Sequence, residues 1–137
     1  MKMFAKALIT LTIAMLEIAA YAPTDAERAR WTMFDLRSVA TAAAAYKQDH
    51  GSYPVASTMD ELKALVQPTY VKSLPLHDAW GNGFRYSSDG KTMRIVSAGA
   101  DGQFKEPTWT TAAKWMSDFG EDAVWADGGF TRNWEYK

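Results

Sequence analysis

The stretch from Leu74 to Gly102, LPLHDAWGNGFRYSSDGKTMRIVSAGADG, admits few backbone courses and rules out an all-helical chain. Asp78-Ala79-Trp80-Gly81-Asn82-Gly83 sets a large aromatic ring beside residues that accept positive φ, so the backbone can reverse tightly with Trp80 packed beneath the turn. Phe84 and Tyr86, then Met93, Ile95 and Ser97, alternate with polar neighbours across Asp89-Gly90, the dipeptide favoured in two-residue hairpin turns. A hairpin is expected there. The stretch closes on Ser97-Ala98-Gly99-Ala100-Asp101-Gly102, whose small residues free the backbone carbonyls and whose one carboxylate points into the same loop. An oxygen-rich metal loop is one reading of that pattern; an Asx turn at Asp101 is the other. Function is expected to be decided in this region.

Ahead of the hairpin lie two helices. Thr24-Asp25-Ala26-Glu27 fits a capping box, so a helix is expected to begin near Asp25 and run to about Asp49, with Gly51 as its stop. Ala29, Met33, Leu36, Ala40 and Ala43 recur at spacings of three and four and make one apolar stripe, while Ala42 to Ala45 allow close approach by other backbone. Trp31 and Phe34 lie largely off that stripe, where an exposed aromatic faces a partner. Thr58-Met59-Asp60-Glu61 is a second capping box, opening a short helix that Pro68 ends. Farther on, Thr111 to Phe119 looks helical with Gly120 as its stop, and Val124-Trp125-Ala126 and Phe130 to Trp134 read as short strands separated by Asp127-Gly128-Gly129. The expected fold class is α+β: a long N-terminal helix packed on a small antiparallel sheet.

At the N-terminus Lys2 and Lys6 precede the apolar run Ala7 to Leu16, broken by Glu17. A spanning helix needs about 20 apolar residues, and a run of about ten has the length of a signal-peptide core. Residues 1–22 are therefore read as a signal peptide, with a retained membrane anchor or a plain buried helix as the competing readings, and residues 23–137 as one globular domain. With 47% hydrophobic residues in 137 positions, the chain can bury one core. A formal charge of −1 argues against the clustered basic footprint of a nucleic-acid binder. Zero cysteines exclude thiolate catalysis, Cys-ligated zinc and disulfides. Residues 101–137 carry seven Asp/Glu against four Lys/Arg, a balance that suits a cation.

Asp35-Leu36 on a helix ending in Tyr46-Lys47-Gln48-Asp49-His50-Gly51-Ser52-Tyr53-Pro54, then Asp78-x-Trp80-Gly81-Asn82-x-Phe84-x-Tyr86, then Ile95-Val96-Ser97-x-Gly99-Ala100-Asp101-Gly102, resembles the major pseudopilins of type II secretion systems. The resemblance covers about residues 30 to 104 and resumes at Gly120-Glu121-Asp122-Ala123, with Asn133-Trp134 similar to the family's C-terminal Asn-Trp. Two departures stand out. Gln103 to Phe119 replaces a short Gly-rich loop with a longer segment, and the family's Gly-Phe cleavage site, followed by a Glu early in its apolar helix, has no counterpart. The resemblance implies a pilin-like fold with a calcium-binding C-terminal loop and no enzymatic activity. It implies calcium held by the side chains of Asp101, Asp122 and Glu121 and by the carbonyls of Ala98 and Gln103. As implied function it gives a periplasmic or extracellular filament subunit, self-assembling or joining other pseudopilins, with inner-membrane association if residues 1–20 are retained. The competing reading of Glu121-Asp122 is a solvated acidic pair.

His50 and His77 are the only histidines, and no triad or His-x-x-x-His spacing links them to other groups; His50 suits a helix C-terminus. Trp80, Trp125 and Trp134 are expected in the core. Trp109 and Trp115 fall in the longer segment, where exposed rings would bind a protein partner or a sugar face. A soluble exported module binding protein or glycan through those rings is therefore the alternative to the filament subunit.

Overall fold

A computed structural model describes residues 22–105 and 114–135. The first helix, α1 (Asp25–His50), starts where Thr24 supplies both halves of the capping box. Its hydroxyl accepts from the Glu27 N–H at 3.2 Å and its own N–H donates to Glu27 Oε2 at 2.8 Å. The helix stops at Gly51, whose φ of +82° lets its N–H fold back onto the Lys47 carbonyl at 2.8 Å. Ala29, Met33, Leu36, Ala40 and Ala43 are all buried, joined by Thr32, Val39 and Ala42, so the expected stripe is the core face. Its small residues let the sheet approach closely.

The second helix, α2 (Met59–Val66), is capped by Thr58, whose hydroxyl accepts from the Glu61 N–H at 3.1 Å. The reciprocal half of the expected box is displaced by one residue. Glu61 Oε2 accepts from the N–H of Ser57 at 2.8 Å instead of that of Thr58.

Five strands follow: β1 (Arg85–Ser88), β2 (Met93–Ser97), β3 (Lys114–Met116), β4 (Ala123–Ala126) and β5 (Gly129–Trp134), ordered β1-β2-β4-β5-β3 across the sheet. The β1–β2 hairpin pairs Tyr86 with Ile95 and Ser88 with Met93, leaving a loop of four residues, Asp89 to Thr92. The expected two-residue turn at Asp89-Gly90 is thus corrected. Asp89 Oδ1 accepts from the N–H groups of Lys91 and Thr92 at 3.0 and 2.9 Å, and the Gly90 carbonyl accepts from Tyr53 N–H at 2.8 Å, which stabilises the wider loop. A two-residue Asp-Gly turn does occur, between β4 and β5, where Asp127 (φ +48°) and Gly128 (φ +107°) link the paired Ala126 and Gly129.

Two expectations fail at the other edge. The segment read as a helix contains the strand β3, and the sheet is mixed because β3 runs parallel to β5, with Trp115 opposite Asn133. The chain leaves β3, reverses through residues 117–122 into β4 and reverses again into β5, and two reversals restore the direction. Met116 is buried and Trp115 is 64% exposed, the alternation of a strand with one covered face, so packing overrides a composition that suits a helix. Residues 111–113 of that segment, and the whole N-terminal segment 1–21, lie outside the described residues. The core lies between α1 and the sheet, where Leu36, Val39, Leu62, Val66, Met93, Ile95 and Trp134 are fully buried.

Candidate functional site: paired loops at the sheet end and the outer face of the long helix

The Trp80 turn and the Asp101 loop form one unit. Asp78 is buried; its Oδ1 accepts from the N–H groups of Trp80 and Asn82 at 3.0 and 2.9 Å, and its Oδ2 accepts from Ser97 Oγ at 2.8 Å. Asn82 Nδ2 then donates to the Gly99 carbonyl at 3.1 Å. The turn is also fastened to α1. Ala79 N–H donates to the buried Thr32 hydroxyl at 3.0 Å, and Trp80 Nε1 donates to Asp25 Oδ1 at 2.8 Å. Trp80 is half-buried, its ring edge-on to Trp134 at 5.4 Å, so it bridges the helix start and the last strand rather than filling the core. Trp134 is fully buried as expected, and Trp125 is half-buried against Phe130 at 4.7 Å.

The Asp101 loop meets the loop Phe119–Asp122. Gly99, at φ +76°, lies so close to the carbonyls of Phe119 and Glu121 that a Cβ would sit 2.8 Å from the latter, and Ala100 N–H donates to Phe119 O at 2.8 Å. Trp134 Nε1 donates to the Glu121 carbonyl at 3.0 Å. The structure therefore brings Asp101, Glu121 and Asp122 into adjacent loops despite the intervening segment.

Each of the three has a partner from the chain itself. Asp101 Oδ1 accepts from Gln103 N–H at 2.9 Å, the Asx turn, and Asp101 Oδ2 contacts the Lys105 ammonium at 2.5 Å. Glu121 Oε2 contacts Arg132 at 2.6 Å, and the fully buried Asp122 accepts at Oδ2 from Lys105 N–H at 2.8 Å. Lys105 Nζ also donates to the Gly120 carbonyl at 3.3 Å. The Lys105 ammonium, with the Gln103 N–H, holds the Asp101 carboxyl below the usual range, whereas burial pushes that of Asp122 up. Calcium needs six to eight oxygens at about 2.3–2.6 Å around one point. Among the described residues no group of three or more His, Asp or Glu side chains is placed to hold a metal ion. Ala98 is buried at the end of β2 and Gln103 is exposed beside Asp101. The donor set as arranged fits an ammonium and a guanidinium rather than one shared divalent ion.

The partner-facing candidates separate. Trp31 and Phe34 stand 44% and 60% exposed on the outer face of α1, opposite its buried stripe. Trp115 is exposed on the edge strand β3, and Trp109 lies outside the described residues. His50 stacks on Tyr46 at 3.9 Å at the end of α1. Sequence assigned no role to Lys105 or Arg132, and named Asp78 only as the first residue of the Trp80 turn. The signals existed for two of them: Asp101 and Lys105 are four apart, and Asp78 opens an Asx-type turn.

A long capped helix laid on a small mixed sheet, with a half-buried Trp turn clasping a small-residue loop, defines an α+β domain of the pilin-like class. The chain belongs to the family of type II secretion system (T2SS) protein G, whose model matches residues 21–112. It is also similar to the type II secretion system core protein G of Pseudomonas aeruginosa, 37% identical over 84 residues, an alignment covering 50% of this chain and 57% of that protein. The match thus spans little more than half the length of the relative.

Proposed function

We propose that the protein is a non-enzymatic, exported subunit of a type II secretion filament and that it works by assembly with copies of itself or with other pseudopilins. The observation that carries this reading is the division of α1 into two faces. One is buried in the domain's own core, and the other presents Trp31 and Phe34 at 44% and 60% exposure three residues apart. Large aromatic side chains held on a rigid helix make strong contacts at low entropic cost, because the helix already fixes their backbone. Family membership and the likeness to a core protein G support the same role. In this reading residues 7–16 reach the inner membrane when they are retained; among the described residues no helix is long and apolar enough to cross one.

The test is crosslinking in cells of the wild type and of the double variant Trp31→Gln, Phe34→Gln. The variant should lose its crosslinked multimers and keep the wild-type melting temperature. Multimers of undiminished yield from the double variant, or a chain that is monomeric in every condition, would reject assembly through this face. Loss of multimers on Trp115→Gln alone would move the interface to the β3 edge.

A further inference from the structure

We infer that the Lys105 ammonium is the built-in cation of the C-terminal loops, closing the Asp101 loop onto the Phe119–Asp122 loop without a bound metal ion. Three observations support this, one from the Lys105 side chain, one from its backbone and one from the neighbouring Glu121. Lys105 Nζ lies 2.5 Å from Asp101 Oδ2 and 3.3 Å from the Gly120 carbonyl, so it bridges a carboxylate on one loop and a backbone oxygen on the other. Those are the donor types a calcium ion would take. Its own backbone N–H donates to the buried Asp122 at 2.8 Å, so the same residue engages a second carboxylate. The third carboxylate of the acidic set, Glu121, is drawn aside to Arg132 at 2.6 Å.

The backbone around Lys105 is held in place to present the charge. Gln103 N–H is bonded to Asp101 Oδ1 at 2.9 Å, and the Phe104 ring lies under the Arg85 guanidinium at 3.7 Å, which fastens the segment to β1. With Gln103 and Phe104 anchored, the ammonium is presented at high effective concentration. A divalent ion entering from solution must displace it and leave its charge among the remaining carboxylates. An intramolecular cation therefore outcompetes a dissolved one unless the latter gains several additional oxygens. The closure of these loops is then independent of the calcium supply outside the cell. This inference concerns the folding of the single chain and stands or falls separately from assembly.

The experiment is thermal unfolding of the full chain in calcium and in chelator. A site taking calcium at about one hundred times its Kd would raise the melting temperature by on the order of 10 °C for a chain of this size. We expect a shift below about 1 °C. Lys105→Met, which keeps the aliphatic stem, should melt about 2–5 °C lower than the wild type in chelator, the scale of a partly exposed ion pair, and Lys105→Arg should restore most of that loss. A wild type stabilised by calcium overturns the inference, as does a Lys105→Met variant that melts with the wild type in chelator. Should Lys105→Met fail to fold, Asp101→Asn decides the matter. Melting lowered equally in both buffers supports the ammonium, and melting lowered only in calcium supports the metal.

Discussion

The carboxylate of Asp78 and the hydroxyl of Ser97 meet at 2.8 Å in the interior, and this single contact joins the turn before the hairpin to the loop after it. Asp78 has two further N–H donors on its other oxygen, from Trp80 and Asn82, so three donors converge on one buried carboxyl group. Removing the carboxylate strands all three. Asp78→Ala should cost on the order of 3–5 kcal/mol in urea unfolding, and Ser97→Ala about 1–2 kcal/mol. The double variant should cost clearly less than the sum of the two, because the singles disrupt the same bond. Additive losses would show that the two side chains act independently.

Gly99 marks the closest approach of the two C-terminal loops. Its φ of +76° disfavours any L side chain, and an added Cβ would lie 2.8 Å from the Glu121 carbonyl and 3.1 Å from the Trp134 ring. Backbone strain and overpacking act together here, and the Phe119–Glu121 backbone cannot withdraw without losing the bond from Ala100 N–H to Phe119 O. Gly99→Ala should therefore destabilise by roughly 2–4 kcal/mol, and Gly128→Ala, with nothing within 4 Å of its Cβ position, by less. Equal midpoints for the two variants in urea would contradict the close packing at Gly99.

Asp35, half-buried on α1, has its carboxyl pushed above the ordinary range by desolvation. A carboxyl whose folded pKa lies above its unfolded value opposes folding while it is ionised. That opposition is complete above the folded pKa, shrinks as pH falls through it and is gone below the unfolded value. Asp35→Asn should accordingly raise the melting temperature at neutral pH, and the gain over the wild type should close as the pH is lowered through the carboxylate range. A gain that persists unchanged in acid would trace to packing or hydrogen bonding instead.

Several elements were legible because their determinants are neighbours in the chain. Thr24 with Glu27, and Gly51, mark both ends of α1; the spacing of Ala29, Met33, Leu36, Ala40 and Ala43 identifies its buried face and so leaves Trp31 and Phe34 outside it. The alternation through Phe84, Tyr86, Met93 and Ile95 likewise placed the hairpin, since a period of two survives any choice of loop. The loop itself did not follow, because Gly90 takes its position from Tyr53, on a segment far from it in sequence.

What the chain order by itself determined is the local grammar: two capped helices, a hairpin, a glycine-bearing loop with one carboxylate. These depend on φ preferences, caps and periodicity within a few residues. Tertiary structure alone decided the strand at Lys114–Met116 and the parallel pairing of β3 with β5, because a three-residue strand has too little pattern to outweigh helix-forming composition until Met116 finds the core. It also decided which charges share the C-terminal loops. Coulomb attraction acts through space, and whether Asp101 meets a metal ion, Glu121 or Lys105 is set by how two loops, separated in sequence by residues 106–116, are laid against one another.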